Sequence, residues 1–291
     1  MSRTVTLLAV LLASAALAGC TLNRGDDGNG TTTTTTTATT TTPPTGGTTT
    51  TPPTQDTNQS TPLSNSSFSV ATSGVPAQVL PGQRFNFTLF VNGTANATSD
   101  HIGAHYADNA TTSPNATGMK SCEHQAGRLP GEYTVACRVD ETGTWYVYGH
   151  ARANDTGGQF DWWATPVAVK ARNYTLNLTG APTTPPLGNS SFTLSLGITG
   201  SDNATSDHIG AHWFNATTPT PTVATSGGAC AHASGNVVNT HAVECRIPNS
   251  GPAPKAYYVY GHLRITEGGV TLEWWSAPVE VTIGPNLPLG G

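Results

Sequence analysis

Residues Gly143–Ala151 read Gly-Thr-Trp-Tyr-Val-Tyr-Gly-His-Ala, and the five letters of Tyr146–His150 occur again at Tyr258–His262. Counting from Trp145, every second residue of the stretch is apolar or small, and tyrosine and histidine stand between them. An alternation of period two is typical of a β-strand that buries one face. The stretch therefore predicts a strand with its tyrosines and histidine on the outer face.

The strand belongs to a longer duplication. Asn96–His105 recurs letter for letter as Asn203–His212, and the pair Trp162–Trp163 recurs as Trp274–Trp275. A repeat of about 110 residues has the size of one small domain. The sequence thus predicts one domain that was copied once.

Other segments of both copies also favour β-structure. Phe192–Ile198 alternates strictly, turn residues separate such runs, and an amphipathic helical stripe is absent. Followed by a hairpin and Trp-Trp-x-x-Pro, the Gly143–Ala151 stretch resembles strands F and G of fibronectin type III and immunoglobulin-like domains. The resemblance implies an all-β chain with two tandem β-sandwiches, at residues 65–171 and 172–284, and a tail at 285–291.

The amino terminus indicates export. Arg3 precedes the apolar run Leu7–Leu17, which is too short to span a bilayer as a mature helix. The run ends in Leu-Ala-Gly-Cys20, which resembles the lipobox of bacterial and archaeal lipoproteins. That resemblance implies a signal peptide at residues 1–19, a lipid on Cys20, and anchoring at the extracellular face of the cytoplasmic membrane. The alternative is an ordinary secretory signal with a chance cysteine.

Residues 20–64 predict a disordered tether. They are dominated by threonine, proline, glycine and asparagine, and Thr31–Thr42 is nearly pure threonine. Such a segment buries too little apolar surface to offset the entropy of ordering. Its composition resembles O-glycosylated stalks, and a passive linker is the alternative.

Asparagine usage predicts a glycoprotein, because most asparagines begin the motif Asn-x-Ser/Thr. They include Asn58, Asn65, Asn86, Asn92, Asn96, Asn109, Asn115, Asn154, Asn173, Asn177, Asn189, Asn203 and Asn215. Dense motifs of this kind together with a lipobox favour an archaeal source. The net charge of −5 is too small to indicate a nucleic-acid partner.

Four of the five cysteines lie in the repeats at equal spacing. In an oxidising exterior this predicts one disulfide per repeat, Cys122–Cys137 and Cys230–Cys245. A thiolate metal site is the alternative, since each first cysteine begins a Cys-x-His motif.

Strand parity predicts one shared outer face in each repeat. An ion pair between Arg152 and Asp161 would set a hairpin register that places His150 opposite Trp163. The proposed binding face comprises Tyr148, His150, Trp163, Tyr260, His262 and Trp275. Three interpretations compete: a self-satisfied ladder of cross-strand contacts, a surface that recognises a protein or glycan, and a histidine-based metal site.

The metal alternative uses eight of the nine histidines, which fall at matching places in the two copies. They are His101, His105, His124, His150, His208, His212, His232 and His262. On a strand, His101 and His105 would stand about 13 Å apart, too far for one ion. We therefore expect a shared ion only if one of them is joined by His150 and His124.

The sequence offers no nucleophile with an evident base and no paired carboxylates, so an enzyme is not expected. The predicted function is a lipid-anchored, glycosylated surface protein whose two domains serve binding, adhesion or spacing, without a cofactor. The alternative is a surface lipoprotein that binds Cu or Zn through its histidines. The expected partners are the membrane and a surface protein or glycan.

Overall fold

The computed structural model describes residues 62–286. The signal peptide, Cys20, Asn58, the tether as far as residue 61, and residues 287–291 lie outside this range, and their predictions stay predictions. Inside it, strands account for the regular structure together with a 3₁₀ turn at Val223–Thr225. The described range has no helix with the length and apolar character that crossing a membrane requires.

Repeat 1 forms a sandwich of two sheets. Its strands are β1 (Phe68–Ser73), β2 (Gln78–Val79), β3 (Arg84–Gly93), β4 (Ala97–Ala107), β5 (Lys120–Leu129), β6 (Gly131–Arg138), β7 (Gly143–Asp155), β8 (Gly158–Trp163) and β9 (Val167–Ala171). One sheet has the order β1-β3-β6, and the other has the order β2-β9-β7-β4-β5 with β8 also paired to β7.

Repeat 2 has the same plan. Its strands are β10 (Tyr174–Thr179), β11 (Ser191–Gly200), β12 (Thr205–Phe214), β13 (Gly228–Ala229), β14 (Ala233–Asn236), β15 (Thr240–Arg246), β16 (Lys255–Glu267), β17 (Val270–Trp275) and β18 (Val279–Ile283). The sheets are β10-β11-β15 and β13-β12-β16-β17, with β14 on β12 and β18 on β16. The predicted all-β architecture of two immunoglobulin-like sandwiches is confirmed.

Each core lies between the two sheets of its sandwich. In repeat 1, one buried cluster includes Leu89 of β3, Ile102 of β4 and Val147 of β7, and all three side chains are fully buried. Burying a side chain of this size stabilises the fold by about 1.5–3 kcal/mol. Repeat 2 builds the equivalent core around Leu196 and Val259. The inward residues of β7 are those that the period of two predicts, so the tyrosines and histidine of β7 lie on the outer face.

Both predicted disulfides are present, with Cα–Cα distances of 4.5 Å for Cys122–Cys137 and 4.4 Å for Cys230–Cys245. Cys122 lies in β5 of the larger sheet and Cys137 in β6 of the smaller one. The bond therefore ties the two layers together. It also anchors the segment that carries His124, two residues beyond Cys122.

Polar contacts join the two repeats. The buried Gln78 side chain donates hydrogen bonds to the backbone oxygens of Ile265 and Val270. Arg172 is also buried, donates to Gln78 at 2.7 Å, and forms ion pairs with Asp202 and Glu267. Each buried polar group thus has a partner, as a stable junction requires.

Replacing Cys230 and Cys245 with alanine should destabilise repeat 2, because each disulfide closes a loop of 15 residues. On the chain-entropy model the loss is about 3 kcal/mol. Urea unfolding of the purified protein, followed by tryptophan fluorescence, measures this loss. A double variant with the unfolding midpoint of the parent would contradict a stabilising role.

Candidate metal centres

Strand pairing places four histidines of repeat 1 around one glycine. His101, Gly103 and His105 share the outer face of β4, since they are two residues apart. Gly103 pairs with His150 of β7 on one side and with His124 of β5 on the other. Two histidines therefore lie on β4 itself, and the other two lie on the neighbouring strands β5 and β7. We call these four residues, His101, His105, His124 and His150, cluster 1.

Repeat 2 repeats the arrangement around Gly210. His208 and His212 lie on β12, and Gly210 pairs with His262 of β16. His232 stands between β13 and β14 and packs on Gly210. Cluster 2 is defined as His208, His212, His232 and His262.

The glycines make this convergence sterically feasible. A Cβ atom on Gly103 would lie 2.3 Å from the backbone oxygen of Glu123 and 2.6 Å from Cδ2 of His124. On Gly210 it would lie 2.4 Å from Cδ2 of His232. Only glycine permits so close an approach. The sequence interpretation overlooked this role, although both glycines lie within the duplicated ten residues.

In each cluster, one ring nitrogen from every histidine lies within 4.8 Å of the other three. In cluster 1, Nε2 of His105 is 3.5 Å from Nε2 of His101 and 3.2 Å from Nε2 of His124. Four nitrogens at zinc-bond distance from one tetrahedral ion are separated by about 3.3 Å. The donor sets therefore have the dimensions of a four-imidazole site.

The sequence argument that His101 and His105 are too far apart to share an ion is wrong. The 13 Å estimate describes Cα atoms of residues four apart on a strand. Both imidazoles lean over the gap that Gly103 leaves, and their rings stack with centroids 5.7 Å apart. Irregular β4–β5 pairing near Gly103 accompanies this approach.

The predicted exposed binding face is also wrong for four residues. Tyr148 and His150 are 0% exposed, and Tyr260 and His262 are 2% and 0% exposed. They point away from the inter-sheet core, as parity predicted, but a second layer covers them. The other histidines of each cluster cover one side of His150 and of His262.

Loops and tryptophans form the rest of this layer. The Tyr148 hydroxyl accepts a hydrogen bond from the backbone of Thr111 at 2.7 Å, and Tyr260 binds Thr218 in the same way at 2.8 Å. The partly buried Trp163 stacks on His150 with centroids 3.9 Å apart, and the predicted hairpin register that sets this contact is observed. Trp275 stacks on His262 at the same distance.

Burial keeps these histidines uncharged. It lowers the pKa of His105 to about 3 and that of His124 to about 4, and neighbouring imidazoles add to the shift. The pKa of His150 falls to about 4 because burial outweighs the opposing effect of Asp161. In cluster 2, burial lowers the pKa of His208 and His212 to about 4 and that of His262 to about 3. A neutral imidazole is the form that binds a metal ion.

Several buried nitrogens of the clusters have no hydrogen-bond partner within residues 62–286. They are Nδ1 of His150, Nε2 of His208, both ring nitrogens of His212, Nε2 of His232, and both ring nitrogens of His262. Leaving a buried polar atom unpaired costs about 1–3 kcal/mol. Six of these seven atoms belong to cluster 2, whose histidines do not satisfy one another, and this argues against the self-satisfied ladder there.

No family model matches the sequence, and no curated protein matches it. Solved structures similar to the chain include the I-band fragment I67-I69 from titin, with 13% identity, 75% of this chain covered and a TM-score of 0.33. The chain spans 64% of the length of that fragment. The titin domains Z1Z2 in complex with telethonin share 12% identity over 75% of this chain and 95% of that one, with a TM-score of 0.22.

The metal-free protein should lose stability as the pH falls from 6.5 toward 5. Histidines of the unfolded chain bind protons near pH 6.5, whereas burial lowers the pKa of His105, His212 and His262 to about 3–4. The unfolded state therefore binds more protons in this window, and acid favours it. Urea midpoints measured in chelator between pH 7.5 and 5 test this.

A double variant, His150→Phe with His262→Phe, supplies the control for that series. Its midpoint should depend less on pH, because two of the buried imidazoles are gone. A parent protein with a constant midpoint from pH 7.5 to 5 would rule out the effect.

Proposed function

We propose that this protein is a metal-binding protein of the cell exterior that holds one divalent transition-metal ion in each histidine cluster. The carrying observation is that four neutral imidazoles converge within 4.8 Å in both repeats. Imidazole ligands suit Zn²⁺ and Cu²⁺. Cluster 1 would hold the ion through His101, His105, His124 and His150, and cluster 2 through their four counterparts.

The donor set favours holding an ion over catalysis at it. Catalytic zinc sites keep three protein ligands and leave a position open for water or substrate, whereas a full set of four ligands closes the site. The nitrogen spacings of 3.2 and 3.5 Å in cluster 1 match a tetrahedral ion, which favours Zn²⁺. Cu²⁺ competes through its higher intrinsic affinity for nitrogen ligands.

The ion is not needed to build the fold. Each repeat has an apolar core on the opposite face of the histidine-bearing sheet, and a disulfide ties its layers together. The metal-free protein should therefore stay folded, unlike small zinc domains that unfold without metal. The clusters are thus suited to capturing ions from the surroundings.

Metal content and affinity test the proposal directly. We expect two ions per chain after dialysis against Zn²⁺ or Cu²⁺, and each bound ion should increase stability by about 4 kcal/mol when free metal is 1,000-fold above Kd. His124→Ala with His232→Ala removes one ligand from each cluster. Affinity should fall by more than the 10- to 100-fold typical of losing an outer-shell partner.

The ninth histidine supplies a matched control. His241 lies in β15 and contacts the backbone oxygen of Val237, outside both clusters. His241→Ala should bind two ions with the affinity of the parent. Equal losses in the control and the double variant, or no binding by the parent, would reject the proposal.

The lipobox resemblance and the threonine-rich segment support a location on the outer face of the membrane. In the proposal, lipid on Cys20 anchors the chain, and the glycosylated tether carries the metal-binding repeats. A role in adhesion or spacing stays a prediction. The burial of Tyr148 and Tyr260 removes side chains on which a recognition face would depend.

Cys20→Ser should release the protein from the membrane, because the thiol that would carry the lipid is lost. Detergent phase partitioning measures this, and mass spectrometry of the amino-terminal peptide identifies the lipid. Unchanged partitioning of the variant would contradict the anchor. Cys230→Ala serves as the control, since it also removes one cysteine but leaves the lipobox intact.

A further inference from the structure

The two clusters share their ligands but differ in the residues behind them. In repeat 1, the Ser121 hydroxyl lies 3.3 Å from Nδ1 of His105. The Asp161 carboxylate lies 2.7 Å from Nε2 of His150 and also accepts a hydrogen bond from Nε of Arg152 at 2.8 Å. Outer-shell partners of this kind orient a ligand ring and select its tautomer.

Asp161 determines which nitrogen of His150 carries the proton. The Asp161 carboxylate forms an ion pair with Arg152 and also accepts a hydrogen bond from Nε2 of Gln159 at 3.0 Å. An ionised carboxylate only accepts hydrogen bonds, so Nε2 of His150 must donate. The lone pair of the neutral ring is then on Nδ1, which is buried and unpartnered among the described residues.

Ser121 is the outer-shell partner of His105. Nε2 of His105 faces the Nε2 atoms of His101 and His124, so Nδ1 of His105 is the nitrogen left to bond Ser121. With Nδ1–H donating to the hydroxyl, the lone pair of Nε2 points into the cluster. Asp161 thus holds His150 in a metal-binding tautomer before an ion arrives, and Ser121 offers the acceptor that the metal-binding tautomer of His105 requires.

Repeat 2 lacks both partners. Ser121 pairs with His105 across the strands, and the residue that pairs with His212 in the same way is Ala229. Glu273 replaces Asp161, and its carboxylate lies 3.6 Å from Nε2 of His262, beyond hydrogen-bond distance. Both nitrogens of His212 and both of His262 consequently lack a partner within the described range.

Given the proposed metal-binding function, we propose that the two sites are inequivalent: Ser121 and Asp161 are positioning residues that make cluster 1 the tighter site. His150 then binds the ion through Nδ1, and the other three histidines of cluster 1 bind it through Nε2. Cluster 2 has the same donors but must select ring orientations and tautomers when the ion binds. That ordering reduces its affinity.

Each site is measured alone by disabling the other. His208→Ala with His232→Ala leaves cluster 1, and His101→Ala with His124→Ala leaves cluster 2. Competition with a chromophoric chelator gives the Kd for Zn²⁺ of each site. We expect cluster 1 to bind at least 10-fold more tightly, as outer-shell partners typically contribute 10- to 100-fold.

Exchanging residues between the repeats tests the cause. Ser121→Ala and Asp161→Asn should each weaken cluster 1 by about 10- to 100-fold, while Ala229→Ser should strengthen cluster 2. Urea unfolding of the same metal-free variants detects any general loss of structure. A variant that weakens binding without lowering the unfolding midpoint supports a positioning role.

Tautomers give a readout that does not depend on metal. Long-range ¹H–¹⁵N spectra of the metal-free chain should show His150 protonated at Nε2 and His105 at Nδ1. Asp161→Asn should change the tautomer population of His150 alone. An Nδ1-protonated His150 in the parent would overturn the assignment, even if both clusters bind metal.

The possible failures are distinguishable. If neither isolated site binds Zn²⁺ or Cu²⁺, the proposed function fails. If both bind with the same Kd and Ser121→Ala changes nothing, the function stands and the inequivalence is rejected.

Discussion

Both candidate sites depend on one constraint: a neighbouring segment must pack directly against a glycine in the middle of a strand. Gly103 and Gly210 each lie mid-strand, and a Cβ there would collide with the neighbouring segment that carries His124 or His232. Removing one side chain from the outer face opens a gap between two histidines of the same strand. Imidazoles from the flanking segments fill that gap, so four rings meet where a regular sheet would present separate side chains.

The two faces of the larger sheet have different physical roles. Its inner face packs apolar side chains such as Ile102 and Val147 against the smaller sheet and supplies the stability of the domain. Its outer face gathers uncharged histidines whose unpaired nitrogens cost free energy in the absence of an ion. The domain can tolerate that cost because its apolar core and its disulfide do not include the histidines and still stabilise the fold. The unpaired nitrogens thus lower the stability locally, and a bound ion would supply their missing partner. Such local costs are common at functional positions.

Much of this arrangement was accessible from the sequence. The period of two predicted which residues of β7 face the core, and hairpin length predicted that His150 lies opposite Trp163. Equal cysteine spacing predicted both disulfides. The sequence raised an ion shared by His150, His124 and one of the two β4 histidines, but not the convergence of all four rings, because strand geometry gives Cα positions while ligand atoms lie at the ends of side chains. The burial of Tyr148 was missed for another reason. It depends on the loop that contains Thr111, and no local sequence pattern predicts where that loop packs.

The duplication separates what a site requires from what adjusts it. The four histidines, the central glycine and the stacked tryptophan occur in both copies. The residues behind them differ, since repeat 1 has Ser121 and Asp161 where repeat 2 has Ala229 and Glu273. Changing a ligand would destroy a four-imidazole site, but changing a residue behind it alters the affinity in moderate steps. Two sites with the same donors but different affinities would bind their ions one after the other as the metal concentration rises. One chain would then respond over a wider range of free metal concentration than two identical sites allow.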